Sequence, residues 1–195
     1  MYVIKLKGWN RSLYFDETDL LWVSPSPNIP TLETAIIYIG TCLLEGTNVS
    51  EGRGTTKPFE LLGAPWIDAC ELSDSMNSQG FSGVIFRPAH FTPTFSKHQG
   101  KLCNGVQIHI TEPKALKAFE IGIRLIYTLM DLYGDHFSFL PPYKEGNAPF
   151  FDRLDGTDEI RLRNKDFVTM TDQFNKDLQA FSAVKKKYHL YKSLS

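Results

Sequence analysis

The twelve residues Glu45-Gly46-Thr47-Asn48-Val49-Ser50-Glu51-Gly52-Arg53-Gly54-Thr55-Thr56 constrain this chain more than any other stretch. They hold two carboxylates, one guanidinium, five hydroxyl or amide side chains and three glycines, and Val49 alone is apolar. Such a run cannot form a core element, because polar groups buried without partners are costly. Apolar segments stand on both sides, Cys42-Leu43-Leu44 before it and Phe59-Glu60-Leu61-Leu62 after it. The stretch must therefore be a loop held between packed pieces, and binding and catalysis concentrate on loops of that kind.

Two readings of the loop compete. One makes it a tight turn: Gly46, Gly52 and Gly54 supply positive φ or close backbone approach, and Glu51 and Arg53 form a surface ion pair of little worth. The other makes it a carbohydrate or anion site. Two carboxylates can divide acid and base roles in glycoside cleavage, and Arg53 with backbone N–H groups can hold an anion. A phosphate loop fits poorly, since no Gly-Lys-Ser/Thr follows the glycines.

At 195 residues, with 42% hydrophobic and 22% charged content, the chain has the size and composition of one soluble globular domain with a real core. A net charge of −1 carries no nucleic-acid footprint. Cys42, Cys70 and Cys103 are widely spaced and odd in number, which argues against a disulfide framework. The N-terminus is too short and polar for a signal segment, and no apolar run reaches membrane-spanning length. Neither an export signal nor a membrane span is expected in this chain.

The pattern along the chain predicts an α+β fold: a small mixed sheet packed by helices, without regular β-α-β alternation. Val3, Ile4 and Leu6 predict a short opening strand. After the stiff connector Ser24–Pro30, Thr31 is placed to cap a helix that Gly40 interrupts. Strands are expected at Phe59–Leu62, stopped by Gly63-Ala64-Pro65, from Gly83 to Pro88, and from Gly105 to Ile110, with a helix from Trp66 to about Met76. A long helix is expected at about 113–133, with Leu116, Phe119, Ile123, Ile126, Tyr127 and Met130 at spacings of three and four and Gly134 as its stop. A C-terminal helix is expected at about 171–188, striped by Phe174, Leu178, Phe181 and Val184.

A second informative segment runs from Phe86 to His98, where aromatics alternate with hydroxyls and cations. Phe86, Phe91 and Phe95 read as inward-packing residues of an edge strand, and Arg87 and Lys97 as ligand candidates. His90, His98, Cys103 and His109 match no compact zinc spacing, so no metal or other cofactor is expected. No Gly-x-Ser-x-Gly elbow is present for a serine nucleophile.

Several segments resemble the NamZ-type exo-β-N-acetylmuramidases, glycoside hydrolases of bacterial peptidoglycan. They are Ser26–Thr31, Tyr38–Thr41, the long Leu44–Phe59 motif, Gly63-Ala64-Pro65-Trp66, Phe91–Lys97, Cys103–Gln107, Leu154-Asp155-Gly156-Thr157 and Lys187–Tyr191. Ile39 stands where the family usually has proline. The resemblance covers nearly the whole chain but only the family's C-terminal half, so residues 1–195 are expected to be one domain lacking the Rossmann-like N-terminal half.

The resemblance implies a muramidase of cell-wall turnover that releases terminal N-acetylmuramic acid, with its cleft between the halves and the principal acid on the other half. Glu45 and Glu51 are then the catalytic candidates here, and Asn48, Ser50, Arg53, Thr55, Arg87 and Lys97 the substrate-binding ones. The implied partners are peptidoglycan fragments or N-acetylmuramic acid glycosides and a separately encoded N-terminal half. The family is commonly exported. The alternatives are a non-catalytic cell-wall sugar-binding module and an inactive remnant.

Overall fold

The computed structural model describes residues 2–191. They divide into two compact units, Ser24–Phe167 on one hand and the described parts of Met1–Val23 and Val168–Ser195 on the other.

The unit Ser24–Phe167 holds a three-stranded sheet of β1 (Leu61–Ala64), β2 (Val84–Phe91) and β3 (Cys103–Ile110) in the order β1-β3-β2. The α+β class stands, but the sheet is antiparallel throughout rather than mixed, with Leu62 opposite Val106 and Phe86 opposite Ile108. β1 does not stop at Gly63 but runs through it to Ala64. β2 continues past Pro88, which an edge strand tolerates because its outer side needs no ladder bond. The free edge of β2 is blunted by α2 (Ala69–Asn77): Asn77 Nδ2 donates to the Phe86 carbonyl at 2.7 Å and its Oδ1 accepts from Phe86 N–H at 3.0 Å.

Thr31 caps α1 (Leu32–Thr41) as expected, its Oγ accepting from Thr34 N–H. Gly40 does not interrupt that helix. It sits against Gly122 of α3 (Ala118–Tyr133), and a Cβ on either glycine would run into the other helix's backbone. The glycine pair therefore lets two helices cross at backbone contact. α3 starts at Ala118, later than its periodicity suggested, because Thr111 and Glu112 both donate to the Gly83 carbonyl and hold the chain in turns first. Ile121, Ile123, Leu125, Ile126 and Leu129 are all buried, so α3 is the central helix of the unit rather than a one-sided surface helix.

Two short helices, α4 (Phe150–Asp155) and α5 (Glu159–Leu162), follow. They are too short to show a hydrophobic period, and sequence reading missed them. The last helix, α6, spans Phe167–Lys185 and is followed by a 3-10 turn at Lys186–Tyr188. The expected strand at Val3–Leu6 is absent: those residues are irregular and exposed. Among the described residues no helix is long and apolar enough to cross a membrane.

Candidate functional site

The polar loop begins as a 3-10 turn, Cys42–Gly46, at the end of α1. Ser50 then pairs with Gly63 as an isolated antiparallel bridge, N–H to carbonyl in both directions at 2.8 and 3.0 Å. The loop thus lies along the free edge of β1. A left-handed backbone calls for glycine twice in the loop. Gly52 and Gly54 have φ of +77° and +81°, and a Cβ would strike the Leu61 carbonyl at the first and the Thr94–Phe95 backbone at the second.

A second segment, 93–98, clamps the loop. Thr94 donates from both N–H and Oγ to the Gly54 carbonyl at 2.9 Å. Lys97 Nζ donates to the Leu44 carbonyl at 2.7 Å and the Val49 carbonyl at 3.0 Å. His98 Nε2 lies 2.7 Å from the Asn48 carbonyl, which can only accept, so Nε2 carries the proton. Ser96 and His98, on either side of Lys97, are both left-handed, with φ of +70° and +57°. Buried Phe59 is left-handed too, with φ of +64°. Strained non-glycine residues persist only where surroundings over-determine them, and here they gather on the clamp and at the base of the loop.

Four charged side chains meet inside this frame. Glu45 pairs with Arg53 Nη2. Arg53 Nε lies 3.2 Å from Glu51 Oε1, and Glu51 Oε2 lies 2.9 Å from Lys97 Nζ. The last contact is an ion pair in which the same ammonium also donates to the two carbonyls. The result is an alternating row, Glu45–Arg53–Glu51–Lys97, in which Glu51 is the enclosed member and Lys97 keeps 19% of its side chain exposed. Arg53 and Glu45 keep 28% and 18% of their side chains exposed, and Glu51 keeps 3%. Burial pushes the Lys97 ammonium below the usual lysine range, and the charge of Glu51 opposes that shift. The Arg53 guanidinium lies 5.1 Å from the centre of the Phe59 ring, which also takes Tyr38 edge-on at 4.7 Å. Burial raises the Tyr38 hydroxyl, and Glu45 adds to it. The same two causes raise the Cys42 thiol to about 11, so it is a thiol and not a nucleophilic thiolate at neutral pH.

The site residues expected from sequence fall into three groups. Glu45, Glu51, Arg53 and Lys97 come together. Asn48, Ser50 and Thr55 lie in the same loop, but their side chains hold it in shape. Asn48 Nδ2 donates to the His136 carbonyl and its Oδ1 accepts from Ser138 N–H. Ser50 Oγ accepts from Gly52 N–H, and Thr55 Oγ donates to the Gly52 carbonyl. Arg87 lies apart, on the exposed face of the sheet, donating to Gln107 Oε1 at 2.6 Å and facing His109. Of the three aromatics expected to pack inward, Phe86 and Phe91 are buried and Phe95 is half exposed.

Sequence reading gives Tyr38 and Glu60 no place in the site and weighs His98 only as a zinc ligand. Glu60 is buried, accepts from Thr34 Oγ at 2.6 Å, and pairs with Lys57 at 3.1 Å. A glutamate inside the apolar run Phe59–Leu62 was the available signal for it. Among the described residues no group of three metal-binding side chains is placed to hold an ion, and all three cysteines are free.

Comparison with known proteins adds the family. The C-terminal model of the exo-β-N-acetylmuramidase NamZ matches residues 36–191, and the N-terminal model of the same family matches residues 1–33. The peptidoglycan β-N-acetylmuramidase NamZ of Bacillus subtilis is 47% identical over 192 residues, which are 97% of this chain and 45% of that protein. Two solved DUF1343 family proteins of Bacteroides fragilis share the fold. One has a TM-score of 0.83 at 32% identity, covering 98% of this chain and 50% of the other; the second has 0.62 at 28%, covering 88% and 44%. The chain thus spans about half the length of the relatives it matches. With a family model covering residues 36–191 and the polar loop at its heart, the chain belongs to the NamZ exo-β-N-acetylmuramidase family, whose C-terminal domain it carries.

Proposed function

We propose that this chain forms one wall of the active cleft of a peptidoglycan glycoside hydrolase that releases terminal N-acetylmuramic acid. The observation that carries the reading is the state of Arg53. Two of its nitrogens are bound to Glu45 and Glu51, while Nη1 makes no hydrogen bond among the described residues and the side chain stays partly exposed. A guanidinium pinned on one side and open on the other is a preorganised carboxylate acceptor. N-acetylmuramic acid differs from N-acetylglucosamine by a lactyl carboxylate, so Arg53 would select between the two sugars.

The carboxylates divide by access. Glu45 is the one that can reach a substrate. Glu51 is enclosed and acts by anchoring Arg53 to Lys97. Asn48, Ser50 and Thr55 contribute through the shape of the loop, and Arg87 sits outside the cluster. Glycoside cleavage ordinarily needs two carboxyl groups at the bond, and this wall presents one. The second then belongs to the remainder of the family's architecture.

The test is release of N-acetylmuramic acid from a chromogenic muramide, with and without the family's N-terminal half. Little or no turnover by this chain alone and restoration by the pair is the expected result. Full activity of the chain alone would sink the one-wall reading, and inactivity of the pair would sink the enzymatic one. A second reading, a cell-wall sugar-binding module without turnover, draws on the same observation that only Glu45 is accessible. It shares the Arg53 selectivity: Arg53→Ala should weaken binding of N-acetylmuramic acid by about 10- to 100-fold, the range of a charge-assisted hydrogen bond, and leave N-acetylglucosamine binding unchanged.

A further inference from the structure

The unit made of 2–23 and 168–191 has almost no interior. Among its described residues, Met170 is the one buried side chain. Its two segments meet where Trp9 packs edge-on against Tyr191 at 4.6 Å and Leu6 N–H donates to the Tyr191 hydroxyl at 2.9 Å. Yet the unit is rich in large apolar side chains. On α6, Leu178 and Phe181 are 62% and 61% exposed, and Val184 and Tyr188 extend the same stripe. In the other segment Ile4, Leu20, Leu21 and Val23 are exposed as well. Single exposed apolar residues need no explanation, but their concentration in both segments of one unit marks a surface that something covers. A unit this small cannot hold itself together without a buried core.

The family comparison identifies the occupant. Residues 1–33 match the N-terminal family model, and the relatives are about twice as long. The apolar residues of 2–23 therefore belong, by sequence, to a domain most of which lies beyond this chain. We infer that the exposed face of α6, together with residues 2–23, is the seat on which the remainder of the family's N-terminal domain docks, joined to this chain or supplied as a separate polypeptide. The partner inserts apolar side chains between Leu178, Phe181 and the exposed residues of 2–23, and completes the core that the unit lacks. A second copy of this chain is the weaker occupant, because it would bring only the same incomplete core. The inference rests on family membership and on exposure, not on the muramidase reading, so either can fail without the other.

Amide hydrogen exchange tests it on the full chain and on the same chain fused to the upstream part of the Bacillus subtilis relative. Exchange in residues 2–23 and 174–188 should slow at least tenfold in the fusion, with no change in β2 and β3. Leu178→Asp with Phe181→Asp should abolish that slowing, while leaving β2 and β3 of the unfused chain as protected as before. The inference is overturned if the fused part is itself protected and α6 still exchanges as in the free chain. It is also overturned if the free chain sediments as a dimer with α6 already protected, or if the double substitution unfolds the free chain. Should the fusion not fold, the same pair of aspartates at the aligned positions of the full-length relative decides: at least tenfold faster exchange in its last helix supports the inference, and unchanged exchange overturns it.

Discussion

In the loop, Glu51 keeps 3% of its side chain exposed although its side chain ends in a carboxyl group. In α6, Phe181 keeps 61% exposed although it is among the most apolar residues available. The polar region is enclosed and the apolar one is open, the reverse of what side-chain chemistry alone suggests. The difference lies in partners. Glu51 is flanked by Arg53 and Lys97, and the loop's peptide groups are bound by Gly63, the 93–98 clamp and the 136–138 segment. Phe181 has no core to enter within its own unit. Burial follows from what neighbouring groups can satisfy, and hydrophobicity is only half of that account.

The comparison breaks first at Lys97. If the enclosed ion row is held by mutual compensation, Lys97→Ala leaves Glu51 with Arg53 alone and the Leu44 and Val49 carbonyls without their ammonium donor, and should cost about 3–5 kcal/mol in a urea titration. A loss under about 1 kcal/mol would mean that water reaches Glu51 and that the loop is not a sealed frame. The double variant Lys97→Met with Glu51→Gln should cost clearly less than the two singles combined, since neither change then leaves an unpaired charge.

Next in size is the backbone of the loop. Gly54→Ala forces a side chain into a left-handed position already filled by the Thr94–Phe95 backbone. Strain of this kind costs about 1–3 kcal/mol, and binding of N-acetylmuramic acid should fall with it because Arg53 is displaced. Unchanged melting in Gly54→Ala would place the loop among tolerant surface turns.

A buried charge without partners sharpens the contrast with Glu51. Both carboxylate oxygens of Asp155 are shielded and unbonded. Burial, and then Asp152 and Glu159, raise its carboxyl to about 6 from an ordinary value near 3.8. The folded state thus prefers the protonated form and holds more protons than the unfolded chain between those values. Stability is therefore lost as pH rises from about 4 to about 6. Asp155→Asn should stabilise the protein at pH 7 by about 1 kcal/mol, the shift being discounted for the solvent that screens this site, and should have no effect below pH 4. A thermal melt series across pH reads both arms, and destabilisation by Asn at pH 7 would show that the charge has a partner.

The smallest effect belongs to the open region. Leu178→Ser in this chain should change stability by less than about 0.5 kcal/mol, whereas Ile108→Ala in the buried sheet should cost about 2–5 kcal/mol. Comparable losses at the two positions would erase the distinction between core and uncovered face.

Much of the framework was legible because it rests on local chemistry. Thr31 caps α1 through its own side chain, the alternation of Val106, Ile108 and Ile110 marks β3, and the polarity of residues 45–56 marks a loop. Gly40 misled because a glycine that admits a neighbouring helix looks, in one dimension, like a glycine that ends its own. The opening strand misled because Val3, Ile4 and Leu6 have strand chemistry but pair with no strand among the described residues. At the site, sequence named Glu45, Glu51, Arg53 and Lys97, yet it could not separate them from Asn48, Ser50, Thr55 and Arg87, which have equally polar side chains.

By itself, then, the sequence determined the α+β class, the position of the polar loop and the family, since each depends on residue type and spacing along the chain. Tertiary structure alone decided that Lys97, more than forty positions beyond the loop, closes it through the Leu44 and Val49 carbonyls and that Arg53 is held between Glu45 and Glu51. It alone decided that the stripe on α6 faces outward. The physical reason is the same in each case: whether a charge or an apolar surface is satisfied depends on groups brought near by the fold, and that proximity is not written in local order.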